Sequence, residues 1–224
     1  MLFAIGQPAA LAGLLIAFPL AVALRAVAGR LAARACGAVP AGAPVRPDLR
    51  RDLDPFGAVA AVLGGTGWGR AADPEELPRR LSRRRRAAVV AAGPVAVLVA
   101  GLAALAGYRA VSPRAPVLLR LDHPSEVLRG VVGPAADQVS VSVAAGLVCF
   151  AVVALLPLPP LDGFALLWLA LRRPGPAAYR VRHWLAENNI GVALLLLLLL
   201  VPLRRPVLHQ VLDLLATPLL RVWA

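Results

Sequence analysis

Apolar residues set the grain of this chain, in runs whose lengths fall into two classes. Positions 8–28 are apolar apart from Arg25, and positions 87–107 carry no charge at all. Each run is 21 residues long, about 31 Å as a helix, which matches the hydrocarbon core of a bilayer. The pattern predicts one spanning helix over each. Positions 139–171 are too long for a single straight span, and Pro157, Pro159 and Pro160 together with Asp162 divide them into a helix, a break and a second helical piece. Positions 190–203 contain seven consecutive leucines and form a short lipid-compatible segment.

Two stretches are less one-sided. Positions 55–67 are apolar but only 13 residues long and rich in glycine, which fits a re-entrant or interfacial piece better than a span. Positions 207–223 mix leucines with His209, Gln210, Asp213 and Thr217, as in an interfacial amphipathic helix or a last short span. Trp223 near its end suits a headgroup boundary.

Composition agrees with the pattern. With 59% hydrophobic residues and a mean hydropathy of +0.74 over 224 residues, the chain is more apolar than a soluble domain of this size. It reads as one integral membrane domain over residues 1–224, of all-α polytopic class. Residues 1–24 contain no charge, so the first run lacks the basic region of a cleaved signal sequence, and a retained helix is expected.

Charge then orients the chain. All 24 basic residues are arginine, the codon bias of a high-GC genome of the actinobacterial kind. Twelve of them lie between Arg30 and Arg86, mostly beside apolar segments, which predicts a cytoplasmic side for these loops and an outside N-terminus. The loop over 108–138, with only Arg109, Arg114, Arg120 and Arg129, is then external, and the chain returns before Arg172 and Arg173. A multi-pass protein of the cell membrane is the expectation.

A net charge of +12 and the run SRRRR at 82–86 invite a nucleic-acid reading, but no aromatic residues interleave the arginines and no soluble domain holds them. Such charge beside a membrane helix is a topology signal and a contact for anionic lipid, so the bilayer is an expected partner and nucleic acid is not. GGTGWG at 64–69 lacks the Lys and Ser or Thr that complete a phosphate loop, so its glycines are expected to serve backbone packing.

The candidate chemistry is concentrated in LLPLPPLDG at 155–163, where Asp162 follows the proline cluster. A carboxylate at a helix centre costs about 2.5 to 3.5 kcal/mol on insertion scales, so Asp162 is expected to face protein or trapped water. The residues alone also allow an interfacial helix end with a capping Asp. His123, His183 and His209, and Cys36 and Cys149, form no ligand pair such as CxxC or HxxxH. The histidines are expected at the surface or the interface, and no structural disulfide is expected.

LLPLPPLDG resembles the LDG motif of the site-2 protease family, intramembrane zinc metalloproteases in which this Asp is a metal ligand. DLDPFG at 52–57, followed by Gly67 and Trp68, resembles the family's HLDPFG segment and its GW, and AGP at 92–94 opens an apolar helix as the family's AGPxxN does. The three stand in the family's order. The resemblance implies a site-2-protease-like transmembrane core with a re-entrant segment.

The same alignment shows what is missing. The family's HExxH sets two imidazoles one helical turn apart for zinc, with a Glu as general base. Its positions here are Arg25, Ala26 and Gly29, a permanent cation, a methyl group and no side chain. Val97 and Ala154 stand where the pattern has Asn, and Asp52 where it has His. No catalytic residue, metal site or cofactor is therefore expected, although Asp162 keeps the family's ligand position. Arg25 is expected to pair with Asp162 where the metal would sit, or else to snorkel toward the headgroups.

The leading expectation is a catalytically inactive relative that binds or scaffolds a transmembrane partner in the old substrate groove, with Gly64 and Val97 flanking that groove. One alternative is an active intramembrane metallopeptidase that holds zinc at a nonstandard site or completes its site from a partner chain. The other is a transporter-like element, for which broken helices and a buried Asp also speak, although no inverted repeat is visible.

Overall fold

In a computed structural model, which describes residues 1–171, 174–200, 202–203 and 205–224, the apolar runs become helices. The first is α1 (Pro8–Ala35), with proline at its start, where a missing N–H costs nothing. It runs past position 28 because the following alanines and arginines propagate a helix as well as apolar residues do. Helix α2 (Leu49–Asp52) is a single turn leading into α3 (Pro55–Gly64). Asp54 caps α3 by accepting from the Gly57 N–H at 2.8 Å, and Gly65, at φ +85°, stops it in the left-handed conformation open to glycine.

From Gly65 the chain turns straight back. Leu53 bridges Gly69, and the Arg70 N–H donates to the Asp52 carbonyl at 2.9 Å, closing a hairpin. Gly57 and Gly67 meet backbone to backbone inside the hairpin, with Trp68 buried against them. Gly65, Gly67 and Gly69 of GGTGWG serve backbone packing, as the sequence implies, while Gly64 meets the Leu199 side chain.

Helix α4 (Arg83–Val111) starts at the Ser82 cap, and α5 (Ala115–Leu121) and α6 (Pro124–Val127) fold the loop that follows it. Helix α7 (Ala135–Ala154) packs against both α1 and α4, which also touch each other. Every residue of α7 from Ala144 to Ala154 is buried, as expected of a helix that is apolar on all sides. Gly13 of α1 and Gly101 of α4 let the α7 backbone approach from either side: a Cβ on Gly101 would lie 2.9 Å from the Val148 nitrogen. Helices α1, α4 and α7 are each long and apolar enough to cross a membrane.

Residues 155–161 break the chain between α7 and α8 (Asp162–Ala170), so the 139–171 stretch is a helix, an irregular connection and a second helix. Helix α9 (Pro176–Arg182) continues into a π-turn, and α10 (Ile190–Leu200) and α11 (Val207–Arg221) complete the chain. Apart from the Leu53–Gly69 bridge and a two-residue antiparallel pairing of Pro202–Leu203 with Arg205–Pro206, the described residues are organised by helices alone. Arg172 and Arg173, expected at the return to the basic side, and Val201 of the 190–203 segment lie outside the described residues.

Helix α11 packs on α6, α7 and α10, burying Leu208, His209, Leu212, Ala216 and Leu220 along one face. Its Asp213 accepts from the Ser125 N–H at 2.9 Å and from the Ser125 hydroxyl at 2.7 Å, tying the C-terminal helix to α6. His209 overturns the expectation of a surface or interfacial residue. It lies beside the i, i+4 row of α11 and is 1% exposed, with Nε2 3.0 Å from the Gly64 carbonyl. His123 is half-buried and His183 exposed.

Candidate functional site

Arg25 lies on the face of α1 turned toward α4, the hairpin and α8, and only 9% of it is exposed. Asp162 is the first residue of α8 and is 2% exposed. The two meet as fork and carboxylate. Arg25 Nε donates to Asp162 Oδ2 at 2.7 Å and Nη2 donates to Oδ1 at 2.6 Å, the parallel two-bond geometry that suits guanidinium and carboxylate planes. The remaining guanidinium nitrogen, Nη1, donates to the Arg70 carbonyl at 2.5 Å, and the Ala72 N–H donates to Asp162 Oδ1 at 3.3 Å. The N-terminal position of Asp162 in α8 also places its charge where the helix dipole favours an anion.

Four chain segments position this pair. Helix α1 supplies the cation, the segment leaving the hairpin supplies the backbone groups of Arg70 and Ala72, and α8 supplies the anion. Helix α4 supplies the wall: a Cβ on Gly93 would stand 2.7 Å from Arg25 Cγ. Asp162 can lead α8 because Gly163 passes against the carbonyls of Leu155 and Leu156, where a side chain has no room. Asp52 of DLDPFG, Gly93 of AGP and Asp162 of LDG thus lie at Arg25 or on the cavity beside it.

Beside the pair is a cavity of about 190 Å³ whose lining includes Ala26, Gly29, Arg30, Asp52 and Arg70. Arg30 and Asp52 form a second ion pair at 2.7 Å, and Asp52 also accepts from the Asp48 N–H at 2.8 Å. Ala26 and Gly29 give the cavity no polar side-chain atom. Among the described residues, no three His, Cys, Asp or Glu side chains come close enough to share a metal ion. Both oxygens of Asp162 already accept from Arg25, and a guanidinium fills the space in front of them, so the residues present do not fit zinc. Among the described residues here, both carboxylates, Asp162 and Asp52, are held by arginines.

Two positions expected at an open groove are closed. Val97 is fully buried among Ala21, Val22, Phe150 and Ala154, so the apolar residue in place of the pattern's Asn is taken up by helix packing. Gly64 is covered by Leu199 of α10, which would collide with any Cβ there. The backbone partners at Arg70 and Ala72 have no signature in the sequence, since main-chain contacts do not depend on side-chain identity. Cys36 and Cys149 are both free thiols.

No protein-family model, curated protein or solved structure matches this chain.

Proposed function

We propose that the chain is a catalytically inactive, site-2-protease-like protein of the cell membrane that binds or scaffolds a transmembrane partner. The observation that carries the reading is the two-bond Arg25–Asp162 contact, in which a guanidinium occupies both oxygens of the one carboxylate that matches the family's ligand. Gly93 and Gly69 come close to Arg25, while Ala26 and Gly29 offer neither base nor ligand. In this reading the chain passes the membrane several times, with the arginine-rich loops on the cytoplasmic side.

With Gly64 and Val97 closed, the partner helix is assigned to the outer side of α3, one of several exposed apolar faces, where Phe56, Val59 and Val62 recur at a three-residue interval and are half-exposed. Association there would rest on close apolar packing, as between membrane helices generally. The test has two arms. Purified protein is analysed for bound zinc and assayed for cleavage of single-span substrates, with neither expected; stoichiometric zinc with chelator-sensitive cleavage overturns the reading. Photo-crosslinkers at Val59 and Val62 in native membranes are expected to capture one predominant membrane protein that a probe at the exposed Val132 does not. Crosslinks spread over lipid and unrelated proteins contradict a binding role.

A further inference from the structure

A cavity of about 420 Å³ opens where the basic first turn of α4 meets α8, α9 and the loop at 74–79. Arg79, Arg83 and Arg86 line one side of it, and Trp168 and Tyr179 another. Among the described residues that line it, the one acid, Glu75, is held by Arg182. Trp168 is fixed as a wall: the Arg182 guanidinium lies 4.9 Å over its ring, and Tyr179 meets it edge-on at 5.2 Å. The Arg86 Nε–H is buried and finds no acceptor among the described residues. A buried donor of this kind carries a desolvation cost until an oxygen reaches it.

The level of the cavity along α4 adds a second constraint. Arg83 to Arg86 end where the uncharged run begins at position 87, and α8 brings Leu169 and the exposed Leu171 to the same height. Cationic lining on one side and apolar lining on the other is the arrangement at the boundary between headgroups and acyl chains. Planar guanidinium forks match phosphate oxygens, and basic pockets between helices at that boundary take anionic headgroups.

We propose that this cavity is a binding site for the phosphate group of an anionic phospholipid. The phosphate sits among Arg79, Arg83 and Arg86, with the Arg86 Nε–H as one donor, and the acyl chains leave past Leu171. A free phosphate shares the headgroup's chemistry but has nothing to place on the leucines. The site is separate from the Arg25–Asp162 contact and does not depend on the function proposed above.

The full chain, purified in neutral detergent, is titrated with phosphatidylglycerol, with phosphatidylcholine and with sodium phosphate at matched ionic strength. Thermal midpoints and native mass spectra are the readouts. Phosphatidylglycerol is expected to raise the midpoint and to persist as a single adduct, while the other two do neither. Arg83→Gln and Arg86→Gln should each weaken that binding by roughly fivefold, and Arg109→Gln, at the far end of α4, should leave it unchanged. Equal retention of phosphatidylcholine, or unaltered affinity in both variants, overturns the site. A response to sodium phosphate as large as that to phosphatidylglycerol overturns the lipid assignment. Absence of the adduct on the wild-type chain overturns the proposal without any variant having to fold.

Discussion

Gly93 and Arg25 are in backbone-to-stem contact: a Cβ at position 93 would lie 2.7 Å from Arg25 Cγ and 3.1 Å from the Arg25 carbonyl oxygen. Helix α4 therefore presses its main chain against the side chain that reaches Asp162. Gly93→Val should lower the thermal midpoint in detergent, at a cost of about 1–3 kcal/mol for overpacking. Gly107→Ala is the control, since nothing lies within 4 Å of a Cβ there. Equal midpoints for the two variants would mean that α4 does not confine the arginine.

The ion pair itself gives the larger effect. Removing one member strands a buried charge, so Arg25→Ala and Asp162→Ala should each cost about 3–5 kcal/mol. The double variant should lose less than the sum of the two, because the partners are in direct contact. Arg25→Met combined with Asp162→Leu should come near the wild type, since a well-packed apolar pair avoids the desolvation of both ions. Losses that add in full would refute the coupling.

Positions 25 and 29 lie one helical turn apart and line the same cavity. Arg25→His together with Gly29→His would set two imidazoles beside an Asp162 freed from its guanidinium, completing a three-ligand set. The double variant is expected to retain about one zinc per chain through gel filtration, and Asp162→Ala added to it is expected to abolish retention. A double variant without metal would show that this face of α1 is not aimed at the carboxylate.

His209 offers a test of the C-terminal helix. His209→Leu leaves the Gly64 carbonyl without its buried donor, which should cost about 1–3 kcal/mol. Val132→Leu, at an exposed position, should stay within about 0.5 kcal/mol of the wild type. Thermal unfolding of the two variants side by side separates a buried contact from an exposed side chain.

The long helices were legible because a bilayer demands about 20 apolar residues and the sequence supplies them with few interruptions, Arg25 being the one charge in the first run. Their ends were less so. Hydropathy measures fit to lipid, not helicity, and so places the start of α4 at 87 although the Ser82 cap begins the helix at Arg83. Of the site, Arg25 and Asp162 could be paired in advance only through the motifs around them, since 137 positions separate the two. The closure of Val97 and Gly64 was hidden for another reason: losing a polar residue is compatible with an open groove or a filled one, and packing decides between them. His209 misled because a polar residue in a mixed helix suggests water, while the row of Leu208, Leu212, Ala216 and Leu220 beside it carries the ring inward.

The hydrogen bonds of Arg25 also impose an order on biosynthesis. The hairpin that offers the Arg70 carbonyl emerges from the ribosome soon after α1, but the carboxylate follows the guanidinium by 137 residues. At 5–20 residues per second, the nascent chain carries its guanidinium without its counter-ion for roughly 7 to 27 s. Helix α1 is therefore born incomplete, and the arrival of α8 settles its electrostatics.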